Sequence, residues 1–287
     1  GSLTNILSPI FATAVFAAAG LPAVILIDLG TFAVAFLSLA FLVKIPDVGA
    51  ENKENVSVLA AAKDGIGYLK ENLGILYLIL FLAAINLTAS MYQAAFPAML
   101  LSRSGGGKET LAVVNAVTGL AMVTGSIVAS VLPKPKSRVR VICNTLLLAM
   151  STENFILAFG STAWVWCIGA VLGWVWIPIM NANMDVLFRS YIPVNMQGRV
   201  YSARNTLQFF TIPIGYFLGG FLVDHVFEPF MSGQPAAGVW HTLFGVGKGS
   251  GAAFFFFVIG CVGVITCLIF RRNQHIWQLE TQNSEKV

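Results

Sequence analysis

The chain is 287 residues long, 57% hydrophobic and only 10% charged, with a formal net charge of +4. A soluble domain carries roughly 25% charged residues, so this chain, with a mean hydropathy of +0.79, cannot cover a water-facing surface and is an integral membrane protein. Its Lys and Arg residues interrupt apolar runs and form no stripe interleaved with aromatics, which argues against nucleic-acid binding.

A crossing of the hydrocarbon core takes roughly 20 residues. Eight stretches reach that length: about 4–20, 23–44, 74–101, 110–132, 139–160, 163–188, 200–223 and 250–270. The expected fold class is therefore all-α, an integral membrane protein of about eight transmembrane helices. Apolar runs recur along the whole chain, so no signal peptide accounts for them. The chain opens on Gly-Ser without Met, which reads as a cloning scar or a processed fragment. An even number of spans puts both termini on one side. With the C-terminal tail in the cytoplasm, 14 of the 17 Lys and Arg residues fall on that side, and only Arg103, Lys108 and Lys248 fall on the other. Because Lys and Arg favour cytoplasmic loops, both termini are expected in the cytoplasm of a multi-pass inner (plasma) membrane protein.

The first two spans form a hairpin with Gly20-Leu21-Pro22 as its turn. Asp28, a few residues into the second, reads as a hydrated acid near a helix start or as an outer-gate acid. Residues 46–73 form the longest cytoplasmic connection. Within it Val56, Leu59, Ala62, Ile66 and Leu69 recur at helical spacing beside Lys63, Asp64 and Lys70. That pattern predicts an amphipathic helix on the membrane face.

In the third span Asn86, Ser90 and Gln93 follow i, i+4, i+7 spacing and share one helical face. Lipid offers them no hydrogen-bond partners, so that face should look toward neighbouring helices or into a wet cavity. The outer loop SRSGGGKE lacks the spacing and the strand of a phosphate-cradling loop. After Pro133, KPKSRVR places four cations at the cytoplasmic face, suited to anchoring on anionic lipid.

Glu153 lies roughly 20 Å into the fifth span at 1.5 Å per residue, past the middle of the membrane. Charge in hydrocarbon costs about 2.5–3.5 kcal/mol at a helix centre. Three readings fit such an acid: a site for a coupled proton or a substrate cation, a structural group bonded to neighbouring Asn and Thr, and an acid near enough to the outer interface to be hydrated. Trp164 and Trp166 fit an outer aromatic belt. Trp174 and Trp176 fall near the midplane on different sides of their helix, so at most one of them, with Trp174 the candidate, faces a central cavity.

Around the hairpin PVNMQGR lie Asp185, Arg189, Arg199 and Arg204. Asp185 and Arg189 are i, i+4 on one helix and can pair. Arg199 and Arg204 can compete for Asp185 or cap the preceding helix. The cluster is read either as a gate that holds one conformation shut or as a topological anchor. Residues 225–249 read as a long outer loop, and 272–287 as a cytoplasmic tail that frays. The cysteines at 143, 167, 261 and 267 have no metal-ligand spacing. No set of nucleophile, base and orienting group is visible. No enzyme activity, cofactor or metal is expected.

Pro193-Val194-Asn195-Met196-Gln197-Gly198-Arg199-Val200-Tyr201-Ser202 resembles the P-x-x-x-x-G-R-V-x-S joint between helices ten and eleven of major facilitator transporters of the macrolide-efflux and enterobactin-exporter type. Pro213, Gly215, Gly219, Gly220 and Asp224 continue that likeness, and Leu26-Ile27-Asp28 to Lys44-Ile45-Pro46 resembles the sixth helix and its exit. Two departures stand out. Ser8-Pro9-Ile10-Phe11-Ala12-Thr13 replaces the glycines of the antiporter motif, and the stretch after Gly125 is basic where an acid is usual.

The resemblance implies that the eight spans are helices five to twelve of twelve. Residues 1–45 would then be the last two helices of the first half, 46–73 the loop between halves, 74–271 the second half, and 272–287 the tail. It further implies proton-driven export of drug-like or amphipathic small molecules by alternating access. The substrate and proton pathway would run past Asn86, Ser90, Gln93, Glu153 and Trp174. The implied partners are a small-molecule substrate, protons and the bilayer. Without helices one to four, the chain is expected to be incompetent for transport by itself. A lysophospholipid or siderophore carrier, or a module docking a partner that supplies four helices, are the other readings.

Overall fold

The computed structural model describes residues 2–42, 58–235 and 237–284. Lys44-Ile45-Pro46, Lys53 and Val56, which entered the sequence argument, lie outside the described residues, as do the side chains of Ser8 to Thr13. The chain divides into two units, one before and one from Val58.

The first unit is helix α1 (Ser2–Leu37), followed by a π-helical turn, Ser38–Leu42. Its helical geometry breaks at Gly20, at φ 73°, a conformation that a β-carbon disfavours. The expected turn position is thus where the helix is interrupted. Thr31 satisfies its hydroxyl on the Ile27 and Asp28 carbonyls, and Asp28 itself is exposed.

The second unit begins with α2 (Val58–Glu71) and continues through α3 (Leu73–Ser102), α4 (Lys108–Val131) and α5 (Arg138–Phe159). Next come α6 (Ala163–Trp174) with α7 (Trp176–Tyr191), and α8 (Val194–Phe209) with α9 (Thr211–Leu222). A π-helical turn at Val223–Phe227 leads into α10 (Glu228–Ser232). The short α11 (Val239–Phe244), α12 (Ser250–Arg271) and α13 (Gln274–Ser284) complete it. Among the described residues six helical stretches are long and apolar enough to cross a membrane: α3, α4, α5, α6 with α7, α8 through α10, and α12. The other two expected spans fall within the first unit. The protein is an all-α integral membrane protein.

The two composite spans break for one reason. Proline has no N–H, so Pro178 and Pro213 leave the carbonyls four residues back without their helical partner. The breaks follow those carbonyls, at Val175 and Phe210. Helix α3 carries Pro97 near its end and runs on to Ser102.

Around α3 pack α9, α12, α8 and α13, while α5 lies against α12, α6 and α7. Helix α3 meets α9 along a close seam. A β-carbon added at Gly215 would stand 2.6 Å from Ser90 Cβ, and one at Gly219 would stand 2.6 Å from the Met91 carbonyl oxygen. Apolar tails give no hydrophobic incentive for helices to associate in a bilayer, so small residues that let backbones touch supply dispersion contact instead.

Three expectations are corrected. The tail does not simply fray: α13 buries Ile276 and Leu279, and Glu280 accepts the Val139 N–H at 2.7 Å, tying it to the start of α5. The outer segment 225–249 is partly helical, and Glu228 accepts N–H groups of Gly249 and Ala252 at the start of α12. Trp166 is fully buried and donates to the Gly160 carbonyl, while Trp164 alone of that pair faces outward. Hydropathy ranks residues by type and does not say which side of a helix a neighbour will cover.

Candidate functional site

Helices α3, α5, α6, α7 and α8 enclose a cavity of about 360 Å³ inside the second unit. Such a volume is at the lower end of small-molecule sites. Most of its wall is apolar: Leu82, Ile85, Leu146, Met150, Ile177 and Met180. Polar groups enter at a few points, namely Asn86, Glu153, Asn154, Asn181, Arg204 and Gln208.

Glu153 is 5% exposed. Trp174 Nε1 donates to its Oε1 at 2.6 Å, and Tyr92 lines the same end of the cavity. The indole is held in place by Tyr92, whose ring centroid is 6.4 Å away, and Tyr92 itself stacks on Phe96 at 5.2 Å. Opposite the carboxyl is Gly173, where a β-carbon would stand 2.6 Å from Glu153 Cβ. Only a glycine there lets α6 approach the acid so closely. The carboxyl therefore has one fixed donor, the Trp174 N–H, which Oε1 can accept in either protonation state. That arrangement can hold a proton or release one.

The expected polar face of α3 is divided. Asn86 borders the cavity and donates to the Gln208 carbonyl at 3.3 Å. Ser90 does not line it: its hydroxyl turns back to the Asn86 carbonyl at 2.7 Å, and its β-carbon meets Gly215 of α9. A serine that satisfies itself on its own helix has no need of a cavity. Gln93 is on the outside of the unit. The face of α3 that meets the cavity instead runs through Leu82, Ile85, Ala89 and Tyr92. Trp174 lines the cavity, and Trp176 does not.

The charged residues near the hairpin are also redistributed. Asp185 and Arg189 are both exposed and do not form the expected pair with each other. Arg199 pairs with Asp64 of α2 at 2.9 Å. Helix α2 closes on α8 there, since a β-carbon at Gly65 would stand 2.6 Å from the Arg199 carbonyl oxygen. Tyr68 of α2 donates to the Tyr191 carbonyl. Arg204 turns inward, 8% exposed, with its guanidinium 4.4 Å from the Phe188 ring centroid.

A sequence profile of the Major Facilitator Superfamily matches residues 1–216. The chain belongs to the Major Facilitator Superfamily. Macrolide efflux protein A of Streptococcus pyogenes is 21% identical over 229 residues, which cover 78% of this chain and 56% of that protein. The same-named protein of Streptococcus pyogenes serotype M6 matches to the same extent. The chain thus spans about half the length of the curated relatives it matches. No solved structure matches it. The family is one of multi-pass membrane transporters.

Within this facilitator, sequence reasoning missed Tyr92, Asn154 and the Asp64 partner. Tyr92 is one residue from Gln93, and the polar spacing drew attention to the neighbouring face. The Asn154 amide oxygen is buried with no hydrogen-bond partner among the described residues. Asp64 was visible as one charge in a solvated helix, with nothing local to link it to Arg199. Arg103 was also missed: it is 8% exposed and donates to the carbonyls of Leu157, Ala158 and Phe244. It fastens the end of α3 to α5 and α11.

The Asp64–Arg199 pair is 48% and 38% exposed at its two side chains, a setting in which ion pairs contribute about 0.2–1 kcal/mol. Asp64→Arg or Arg199→Asp alone should therefore leave the melting temperature nearly unchanged yet slow transport turnover, and the double exchange should restore the rate. Equal rates in all four proteins would show that α2 plays no part in cycling.

Proposed function

We propose that this facilitator exports drug-like or amphipathic small molecules by alternating access, with protons as the coupling ion and the Glu153 cavity as the site both use. The observation that carries this reading is the buried Glu153 carboxyl, hydrogen-bonded to Trp174 at the edge of a mostly apolar cavity. A carboxyl retained at such cost marks a functional site in membrane proteins. The efflux role printed in the names of the streptococcal relatives supports the direction of transport. Of the four residues expected at the cytoplasmic gate, Arg199 keeps that role in this reading, paired with Asp64 of α2, while Asp185 and Arg189 stay exposed and Arg204 belongs to the cavity. Facilitators work by rocking two helical halves about a midplane site, and residues on α7 and α8 connect that site to the cytoplasmic face.

Binding tests the site apart from transport. Amphipathic fluorescent probes of either charge should bind the purified protein and accept excitation energy from Trp174, and Trp174→Phe should remove most of that transfer. If no probe binds, or transfer is the same without Trp174, the cavity is not the substrate site. Proteoliposomes then test coupling: an imposed proton gradient should accelerate movement of a loaded probe by a form completed with helices one to four, and the 287-residue chain alone should not move it.

A further inference from the structure

Arg204 is the unmatched charge of the cavity. Its guanidinium has five N–H donors. The protein supplies the Gln208 side-chain oxygen to Nε at 3.2 Å and the Met184 sulfur, a weak acceptor, at 3.5 Å. The rings of Phe188 and Tyr201 cover its faces, with centroids at 4.4 and 5.7 Å. Among the described residues no carboxylate is within ion-pair distance of it. Asp185 acts on it only at longer range and is exposed, so water weakens that attraction. The cavity's own acid, Glu153, is bonded to Trp174 and forms no ion pair with Arg204.

Elsewhere in this unit the charges that leave water are matched. Arg103 has three carbonyls, and Glu280 has a backbone N–H. A buried arginine with donors left over, oriented by Gln208 and flattened between aromatic rings, borders an apolar cavity. That combination fits an anionic group, because the planar guanidinium can meet two oxygens of one carboxylate, sulfate or phosphate at once.

We propose that Arg204 is the recognition point for an anionic headgroup, and that the cavity takes a single-chain amphiphile whose apolar body lies along Leu82, Ile85, Leu146, Met150 and Met180. This rests on the reading of the cavity as the substrate site and specifies the substrate class. A charge-assisted contact of this kind contributes about 1.5–3 kcal/mol, so the headgroup should change affinity by about tenfold or more.

The probe is a dansylated fatty acid, compared with its methyl ester, with binding read by energy transfer from Trp174. The acid should bind at least about tenfold more tightly than the ester. Arg204→Gln should abolish that preference while the ester still binds, and Arg204→Lys should keep part of it. Equal binding of acid and ester by the unaltered protein overturns the proposal whether or not the variants fold. So does a preference that survives Arg204→Gln. If neither probe binds, the substrate-site reading itself fails. In nanodiscs, displacement of the acid by lysophosphatidylglycerol incorporated in the bilayer would identify the membrane as the source of the amphiphile. Displacement only by an added soluble fatty acid would identify an aqueous source.

Discussion

In a form completed by helices one to four, replacing Glu153 with Gln is expected to flatten the pH dependence of export while leaving the protein folded. The amide keeps the shape and an oxygen to accept the Trp174 N–H. It cannot take up or release a proton. Downhill exchange of substrate should therefore continue, and acceleration by a proton gradient should disappear. Glu153→Leu should behave differently. It leaves a buried indole N–H without its partner, costing about 1–3 kcal/mol, so the melting temperature should fall as well. Export rates across the neutral pH range, with melting curves for each variant, separate the two effects. An unchanged pH profile in Glu153→Gln would assign proton coupling to another group.

Gly219→Leu is expected to break the bundle. Its β-carbon would stand 2.6 Å from the Met91 carbonyl oxygen and 2.9 Å from Met91 Cα, which are backbone atoms that a rotamer change cannot move. Overpacking of a tight core costs about 1–3 kcal/mol and sometimes more, and here the whole α3–α9 seam must open. A β-carbon at Gly220, one residue on, would meet nothing within 4 Å, so Gly220→Leu is the control. The first variant should lose its monodisperse peak in size-exclusion chromatography or melt well below the parent, and the second should match the parent. Similar behaviour of the two would show that the seam does not hold α3 and α9 together.

Much of the architecture could be read from residue order because the bilayer imposes it. A span must be long, apolar and hydrogen-bonded within itself, so α3, α4, α5 and α12 are recognisable from composition alone. Pro178 and Pro213 mark helix breaks by the loss of an N–H, a consequence of covalent structure. The Gly215 and Gly219 pair announces a close helix contact without naming the partner.

What the linear chain left open is rotation and pairing. Asn86, Ser90 and Gln93 share a face on any helix, yet only the packing of α9 against α3 turned Ser90 toward Gly215 and left Asn86 at the cavity. Polarity alone cannot tell a serine bonded to its own backbone from one awaiting a ligand. Arg199 and Asp64 are 135 positions apart, a separation at which local spacing carries no information about pairing.

The residue order by itself determined that the chain is a bundle of membrane helices with a carboxyl at membrane depth, because hydrophobicity and helix length are properties of each segment alone. Only the tertiary structure decided which donor that carboxyl meets and that Arg204 faces inward with no acid paired to it among the described residues. Those outcomes depend on which helix faces which, and close packing settles that through the shapes of side chains distant in sequence.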